Sequence, residues 1–202
     1  MGGYDPYSSS KGCAELVTSS YRRSFMQGQG IGLATVRAGN VIGGGDWADN
    51  RLIPDILRSF GKNEAVVIRN PNATRPWQHV LEPLSGYLRL AEKLFNDPLT
   101  FSEGWNFGPY SNDVKPVDWI LDYMIGLWPG ASWVLSENEN PHEATFLNLE
   151  ISKASELLGW TPTWDLPMAL ESTIRWHKLW RGCADMRKAC FTEINNFTKD
   201  MN

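Results

Sequence analysis

Residues 33–38, Leu33-Ala34-Thr35-Val36-Arg37-Ala38, form a short apolar run with β-branched side chains, which is typical of a buried parallel strand. This run follows a helical pattern of apolar residues over residues 7–27. The helix is expected to begin after Asp5, a capping residue, because Pro6 suits the first turn of a helix. Gly28 marks its end. A helix that leads into a parallel strand predicts an α/β fold.

Helices and strands alternate along the rest of the chain. Helical patterns cover residues 53–60, 81–95, 117–127, 151–158 and 166–180, and a polar helical tail follows. Short strands are predicted at residues 65–68, 105–108 and 133–135, whereas residues 70–76 are expected to form a turn-rich loop. No internal repeat or low-complexity linker interrupts the pattern, so α/β structure is expected throughout.

The composition excludes several classes of protein. The 202 residues are 42% hydrophobic and 21% charged, as in globular chains, and no apolar run is long enough for a membrane span. The start of the chain lacks the basic and apolar regions of a secretory signal. The net charge of −4 and the dispersed basic residues argue against nucleic-acid binding. We therefore expect neither a membrane nor a nucleic-acid partner.

Cysteines and histidines give no sign of a disulfide framework or a metal site. The three cysteines, Cys13, Cys183 and Cys190, have no paired spacing, which is typical of reduced thiols in a cytoplasmic protein. The three histidines are too scattered for a zinc site, so no metal is expected. The ten tryptophans leave two interpretations open: they pack in the core, or their rings surround a polar ligand.

Tyr7 and Lys11 are the first candidate catalytic pair. They are four residues apart, which places both side chains on one face of a helix. A nearby ammonium group stabilises a phenolate and lowers the pKa of a tyrosine, so that it can act as a general base on a hydroxyl group. The alternative is an ordinary surface pair, because this spacing also arises by chance.

Five further segments occur in the order of one family's motifs. They are NVIG at residues 40–43, RLIP at 51–54, RPWQHV at 75–80, WNFG at 105–108 and LGWTP at 158–162. Together with Tyr7 and Lys11, they resemble the extended branch of the short-chain dehydrogenase/reductases, the NAD-dependent epimerase/dehydratase family. Within it, GGYDPYSSSK at residues 2–11, GGDW at 44–47 and HEA at 142–144 are most similar to the nucleotide-sugar 4,6-dehydratases that act on CDP-glucose.

The resemblance implies a lyase that uses NAD transiently, in deoxysugar and lipopolysaccharide biosynthesis. Tyr7 would remove the proton of the hexose 4-hydroxyl while a hydride passes from C4 to NAD. Water would then leave across C5 and C6, and the hydride would return to C6. Lys11 would lower the pKa of Tyr7 and hold the cofactor ribose, and Val41 would also contact the cofactor. The fold implied is the C-terminal part of a doubly wound, Rossmann-like sheet with a small α/β substrate lobe.

The resemblance also implies a set of substrate-binding residues. Arg51 and Arg75 would face the diphosphate, which a guanidinium group can bind with two parallel hydrogen bonds. Arg75 could instead stack on the ring of Trp77. Asn40 and Asn106 offer amide groups to the sugar or the diphosphate, or brace their own turns. The remaining residues assigned to the substrate are Leu52, Ile68, His142 and Glu143, with Ile68 in the segment on which a cytidine preference rests.

The chain departs from the family pattern in one respect. The Gly-rich turn and the Thr/Ser-Asp-Lys/Glu segment that precede the tyrosine helix in this family do not occur, so we expect a fragment that binds NAD poorly.

The expected parts are a remnant of the cofactor domain at residues 1–50, a mainly substrate-binding lobe at 51–182 and a helical tail at 183–202. Alternatives are a non-catalytic nucleotide-sugar-binding remnant and an epimerase or dehydratase for another nucleotide sugar. The whole enzyme is expected to be a cytoplasmic homo-oligomer.

Overall fold

The computed structural model describes residues 5–137 and 147–201. In chain order its elements are α1 Pro6–Tyr21, β1 Thr35–Ala38, β2 Asn40–Ile42, α2 Leu52–Lys62, β3 Val66–Ile68, β4 Thr74–His79, α3 Leu81–Asn96, α4 Pro98–Phe101, β5 Gly104–Phe107, β6 Val114–Pro116, α5 Val117–Gly126, β7 Trp133–Leu135, α6 Ser152–Leu158, α7 Leu166–Arg181 and α8 Met186–Asp200. The predicted alternation of helices and strands is confirmed. No helix within the described ranges has both the length and the apolar character needed to cross a membrane.

The chain forms two compact units. Unit 1 comprises Met1–Ala38, Pro83–Phe107 and Glu150–Thr161. Unit 2 comprises Gly39–Glu82, Gly108–Leu149 and Pro162–Asn202. Each unit is therefore assembled from three separate segments. The division into a cofactor part, a substrate-binding lobe and a tail, with boundaries after residues 50 and 182, stays a prediction.

In unit 1, the predicted helix and strand are both present. The Asp5 carboxylate accepts a hydrogen bond of 2.9 Å from the Ser8 backbone N–H and thereby caps α1. The helical path continues beyond α1 as a π-helical turn, Arg22–Met26, and a 3₁₀ turn, Gln27–Gln29. Strand β1 pairs with β5 in parallel, as expected. These elements match the sequence prediction closely.

The expectation that the strand at residues 33–38 is buried is wrong. Val36 on β1 is 40% exposed, and no residue of α1 is buried. The physical reason is that β1 has only one neighbouring strand, β5, within the described ranges of the chain. The core of unit 1 lies instead between α3, β5 and α6, with buried side chains from Leu90, Trp105, Phe107, Ala154, Leu158 and Trp160.

Unit 2 contains the larger core. Its three-stranded sheet has the order β2-β4-β6, with β2 parallel and β6 antiparallel to β4. Strands β3 and β7 pair separately, in parallel. The sheets pack with the apolar faces of α2, α5 and α7 around residues such as Ile56, Phe60 and Leu170. This unit carries most of the residues assigned to the substrate.

The turn-rich loop expected at residues 70–76 is wrong in its second half, because Thr74–His79 is strand β4. The sequence did not indicate this strand because it contains Pro76. Proline lacks an N–H and is normally absent from central strands. Here Pro76 is the last residue of β4 paired with β6, and the next residue, Trp77, pairs with Asn40 of β2. Proline thus occupies the point where β4 changes its partner.

The buried tryptophans support the interpretation that tryptophan side chains pack in the core. Five of the ten are buried in the two units, namely Trp77, Trp105, Trp128, Trp160 and Trp164. Trp164 packs edge-on against Phe197 of α8, with ring centroids 5.1 Å apart. The Trp164 indole N–H also donates to the Asp200 carboxylate over 2.8 Å. The carboxyl-terminal helix is therefore held to the rest of unit 2 by both apolar and polar contacts.

Candidate functional site

A pocket of about 430 Å³ lies entirely within unit 2. It forms where the parallel strands β3 and β7 end, next to the first turn of α2 and the beginning of β4. Its polar lining consists of Asn40, Asn50, Asp55, Arg69, Asn70, Arg75 and Ser136. Its apolar lining consists of Leu52, Val66, Val67, Ile68, Ala73, Trp77 and Val117. Ligands of α/β proteins commonly bind at the carboxyl ends of parallel strands, so this is a suitable position for a substrate.

Four of the predicted substrate residues meet in this pocket. Asn40 begins β2, and Leu52 begins α2. Ile68 is the last residue of β3, and Arg75 lies on β4. These residues come from four separate elements of the chain, and the fold of unit 2 brings them together.

The charge of the pocket favours an anion. Arg69 and Arg75 contribute two guanidinium groups, and Arg75 Nη1 donates to the Thr74 carbonyl over 3.0 Å. The acidic side chain in the lining, Asp55, forms an ion pair with Arg58 of the same helix. Arginine binds phosphate groups through two parallel hydrogen bonds. The two guanidinium groups therefore give the pocket a charge that suits a phosphorylated ligand.

Arg51 has a different environment from the one expected. Its guanidinium group forms an ion pair of 3.2 Å with Asp46, and its side chain is 66% exposed. It is not among the residues that line the pocket. The role of Arg51 at a diphosphate thus stays a prediction, whereas Leu52, its neighbour in the same motif, does line the pocket.

Tyr7 and Lys11 share one side of α1, as their spacing predicts. The Lys11 ammonium nitrogen lies 5.2 Å from the centroid of the Tyr7 ring. Tyr7 is 71% exposed, so its phenol is accessible to a ligand. The pair belongs to unit 1, and Val41, the third residue assigned to the cofactor, lies on β2 in unit 2. The catalytic and cofactor roles of these three residues stay predictions.

Asn106 is engaged by the protein itself. Its side-chain oxygen accepts a hydrogen bond of 2.7 Å from Arg37 Nε, and its amide nitrogen donates to the Glu150 carbonyl over 3.0 Å. Both ends of the amide thus join segments of unit 1, which favours the bracing role over the substrate role. His142 and Glu143, the other two predicted residues, lie outside the described residues.

The sequence motifs give Ser136 no role, and they give Arg69 and Asn70 a role only as members of the segment at residues 68–71 on which the cytidine preference rests. A signal was present for all of them. Arg69 and Asn70 directly follow β3, and Ser136 directly follows β7. Polar residues immediately after parallel strands are typical of ligand sites in α/β folds. The short runs at residues 66–68 and 133–135 did not reveal that the two strands are neighbours.

Unit 2 also contains a buried polar cluster away from the pocket. His79 is fully buried, and burial lowers its pKa to about 4, with a further contribution from the positive charge of Arg175. His79 Nε2 lies 3.6 Å from the Glu193 carboxylate. Glu82 is fully buried too, and burial raises its pKa to about 7, although hydrogen bonds from Trp164 and Thr163 oppose the shift. None of these groups lines the pocket, so we regard the cluster as structural.

Comparison with known proteins agrees with the resemblance in sequence. Residues 4–101 match the NAD dependent epimerase/dehydratase family. The chain is 56% identical over 203 aligned positions to CDP-glucose 4,6-dehydratase of Salmonella typhimurium, an alignment that covers 98% of this chain. The chain spans about 56% of the length of that relative.

Solved structures show the same fold at low sequence identity. UDP-glucuronic acid 4-epimerase from Bacillus cereus, in complex with UDP-glucuronic acid and NAD, matches 87% of this chain and 53% of its own, with a TM-score of 0.74 and 20% identity. dTDP-glucose 4,6-dehydratase from Bacillus anthracis, in complex with NAD, matches 88% of this chain and 53% of its own, with a TM-score of 0.71 and 19% identity. The Rossmann-like α/β fold expected from the sequence is thus confirmed. The family match over residues 4–101 and the 56% identity to a 4,6-dehydratase both agree with the family resemblance of the sequence.

Proposed function

We propose that this chain supplies the nucleotide-sugar pocket and the catalytic helix of a CDP-glucose 4,6-dehydratase, an NAD-dependent hydro-lyase. The observation that carries the proposal is the pocket of unit 2, in which Asn40, Leu52, Ile68 and Arg75 line one cavity. The 56% identity to the Salmonella enzyme supports the choice of reaction and of CDP-glucose.

The pocket has the size and chemistry of a nucleotide-sugar site. Its volume of about 430 Å³ lies in the range of small-molecule sites, roughly 300–1,000 Å³. Arg75 and Asn40 lie on the neighbouring strands β4 and β2, where a cation and an amide can share a diphosphate. The apolar side chains of Leu52, Ile68 and Trp77 provide a surface for the less polar parts of the ligand.

The catalytic pair would act on the sugar and the cofactor. Tyr7, as a phenolate, would take the proton of the hexose 4-hydroxyl, and the exposed phenol leaves room for that contact. Lys11, on the same side of α1, would favour the phenolate by its charge and donate to the cofactor ribose. NAD, when bound, supplies a temporary acceptor for the C4 hydride, which returns to C6 so that no net oxidation occurs.

The binding step can be tested directly on the 202-residue chain. Calorimetric titration with CDP-glucose should show binding, and Arg75→Ala should weaken it by about tenfold to a hundredfold, because a charge-assisted double contact is lost. Arg75→Lys should recover part of the loss, since an ammonium group cannot reproduce the double contact. Arg187→Ala, which removes an arginine of α8 outside the pocket, is the matched control and should bind normally. Equal binding by Arg75→Ala and the parent chain would refute the assignment of Arg75.

The choice of reaction is tested by its product. With the amino-terminal half of the Salmonella relative fused ahead of residue 1, CDP-glucose and NAD should yield a product lighter by one water, without net reduction of NAD. A product of unchanged mass would indicate an epimerase instead. We further propose a cytoplasmic homo-oligomer that serves deoxysugar and lipopolysaccharide biosynthesis, which the resemblance supports.

A further inference from the structure

The first turn of α2 brings a carboxylate into a pocket that otherwise suits an anion. Asp55 lines the pocket together with Arg69 and Arg75. A carboxylate in the lining repels a diphosphate unless a nearby cation balances its charge. Arg58, three residues further along α2, forms an ion pair with Asp55 and is not among the residues that line the pocket. Arg58 is thus placed to affect a ligand through Asp55 rather than by contact.

The loop that precedes α2 holds the Arg58 guanidinium group in place. Arg58 Nη1 donates to the Trp47 carbonyl over 3.1 Å, and Nη2 donates to the Ala48 carbonyl over 3.3 Å. The Asp49 carboxylate is 3.3 Å from Nη2, but its side chain is 88% exposed, so this ion pair contributes little. The loop is itself anchored, because the Trp47 ring packs against Trp180 of α7 with ring centroids 4.4 Å apart. These contacts fix the guanidinium group before any ligand binds.

We propose that Arg58 is a positioning residue of this pocket: it holds and neutralises the Asp55 carboxylate, so that the arginines of the lining determine the charge that a diphosphate meets. This inference rests on the proposed function, because it assumes that the ligand carries a diphosphate. The two side chains are neighbours on the surface of α2, since they are three residues apart. Arg58 is 33% exposed and Asp55 is 44% exposed, so solvent screens this pair less than a fully exposed one.

The consequence is that diphosphate binding depends on the balance between these two charges. Without Arg58, the Asp55 carboxylate would be an uncompensated negative charge in the lining. One such charge near the protein surface, several ångströms from the ligand, changes the affinity for an anion by about threefold to tenfold. Removal of both charges together restores the balance and should restore the affinity.

A double-mutant cycle tests this dependence, by calorimetric titration of the 202-residue chain with CDP-glucose. Arg58→Gln should weaken binding by about threefold to tenfold, and Arg58→Gln combined with Asp55→Asn should bind within about twofold of the parent. Asp55→Asn alone should bind at least as tightly as the parent. The loss caused by Arg58→Gln should also shrink in about 0.5 M salt, where the Debye length is short.

Lys62→Gln is the matched control. It removes an exposed positive charge from the last turn of the same helix, outside the pocket, and should bind as the parent does. Thermal unfolding of each variant should give a midpoint above the temperature of the titration, which shows that the folded forms are compared.

The outcomes separate this inference from the proposed function. If the double variant keeps the full loss of Arg58→Gln, then Arg58 supports the loop and not the charge of the pocket, and the inference is overturned. It is also overturned if Asp55→Asn weakens binding, because Asp55 would then contact the ligand itself. In both cases the parent still binds CDP-glucose, and the pocket remains a nucleotide-sugar site. If the parent does not bind CDP-glucose, the proposed function is overturned and this inference with it.

Discussion

Glu82 provides a quantitative test of the structure of unit 2. Its fully buried carboxylate accepts hydrogen bonds from the backbone N–H groups of Thr163, over 3.0 Å, and Trp164, over 2.7 Å. Burial raises its pKa from the ordinary 4.5 to about 7. Because the folded state favours the protonated form, the stability linked to Glu82 is present below pH 4.5 and is lost as the pH rises through about 7.

The size of this loss follows from the two pKa values. A pKa of about 7 in the folded state and 4.5 in the unfolded chain predicts that the free energy of unfolding falls by about 2 to 3 kcal/mol between pH 5 and pH 8. Glu82→Gln removes this titration. Its amide offers one acceptor instead of two, so one backbone N–H loses its partner, at about 1–3 kcal/mol at every pH. The variant should therefore be clearly less stable than the parent at pH 5 and about equally stable at pH 8.

Urea unfolding of both proteins at pH 5 and pH 8 measures these differences. Other titrating groups, such as His79 and Glu193, affect both proteins alike and cancel when the two are compared at the same pH. The expected result is a gap in the free energy of unfolding that closes by about 2 kcal/mol from pH 5 to pH 8. A gap of equal size at both pH values would refute the perturbed titration of Glu82.

Three further perturbations test other parts of the structure. In the fusion with the amino-terminal half of the Salmonella relative, Tyr7→Phe should lower the rate of water loss by about 10²–10⁴, and near-normal turnover would exclude Tyr7 as the base. Gly44→Ala should destabilise the protein by about 1–3 kcal/mol in urea unfolding, because the new Cβ would lie 2.1 Å from the Trp176 ring, whereas Gly126→Ala meets open space and is the control. Phe197→Ala should lower the free energy of unfolding by about 3 kcal/mol in the same measurement, since it empties a buried site between α8 and the rest of unit 2; an unchanged midpoint would show that α8 is not packed as described.

Local signals in the sequence predict most of the elements. The Asp5 cap, the proline after it and the apolar periodicity locate α1, and the run Trp133–Leu135 gives β7 without error. Local signals do not predict strand β4. Pro76 is acceptable there because the strand changes its partner at this point, and the position of this change depends on the neighbouring strands. Local propensity contains no information about such neighbours.

For the candidate site too, the sequence predicts some of the features and not others. Motif order placed Asn40, Leu52, Ile68 and Arg75 in one site, and the four line one pocket. For Asn106 the motifs leave a substrate role and a bracing role open, and its amide bonds to Arg37 and Glu150, residues 69 and 44 positions away in the chain. Contacts over such separations are set by the packing of whole elements, so a motif identifies the residue type but not its partner.

The pocket in unit 2 also couples ligand binding to folding. Its lining comes from the two ends of β3, the beginnings of β2, α2 and α5, strand β4 and the residue after β7, so it exists only when these elements are assembled. A ligand that binds the folded form alone shifts the folding equilibrium toward that form, by about 2.7 kcal/mol at a hundredfold excess over the dissociation constant. Protection of the β3 and β7 amides from hydrogen exchange should then rise with nucleotide concentration. A ligand that binds the pocket as proposed would thus keep more of this protein folded.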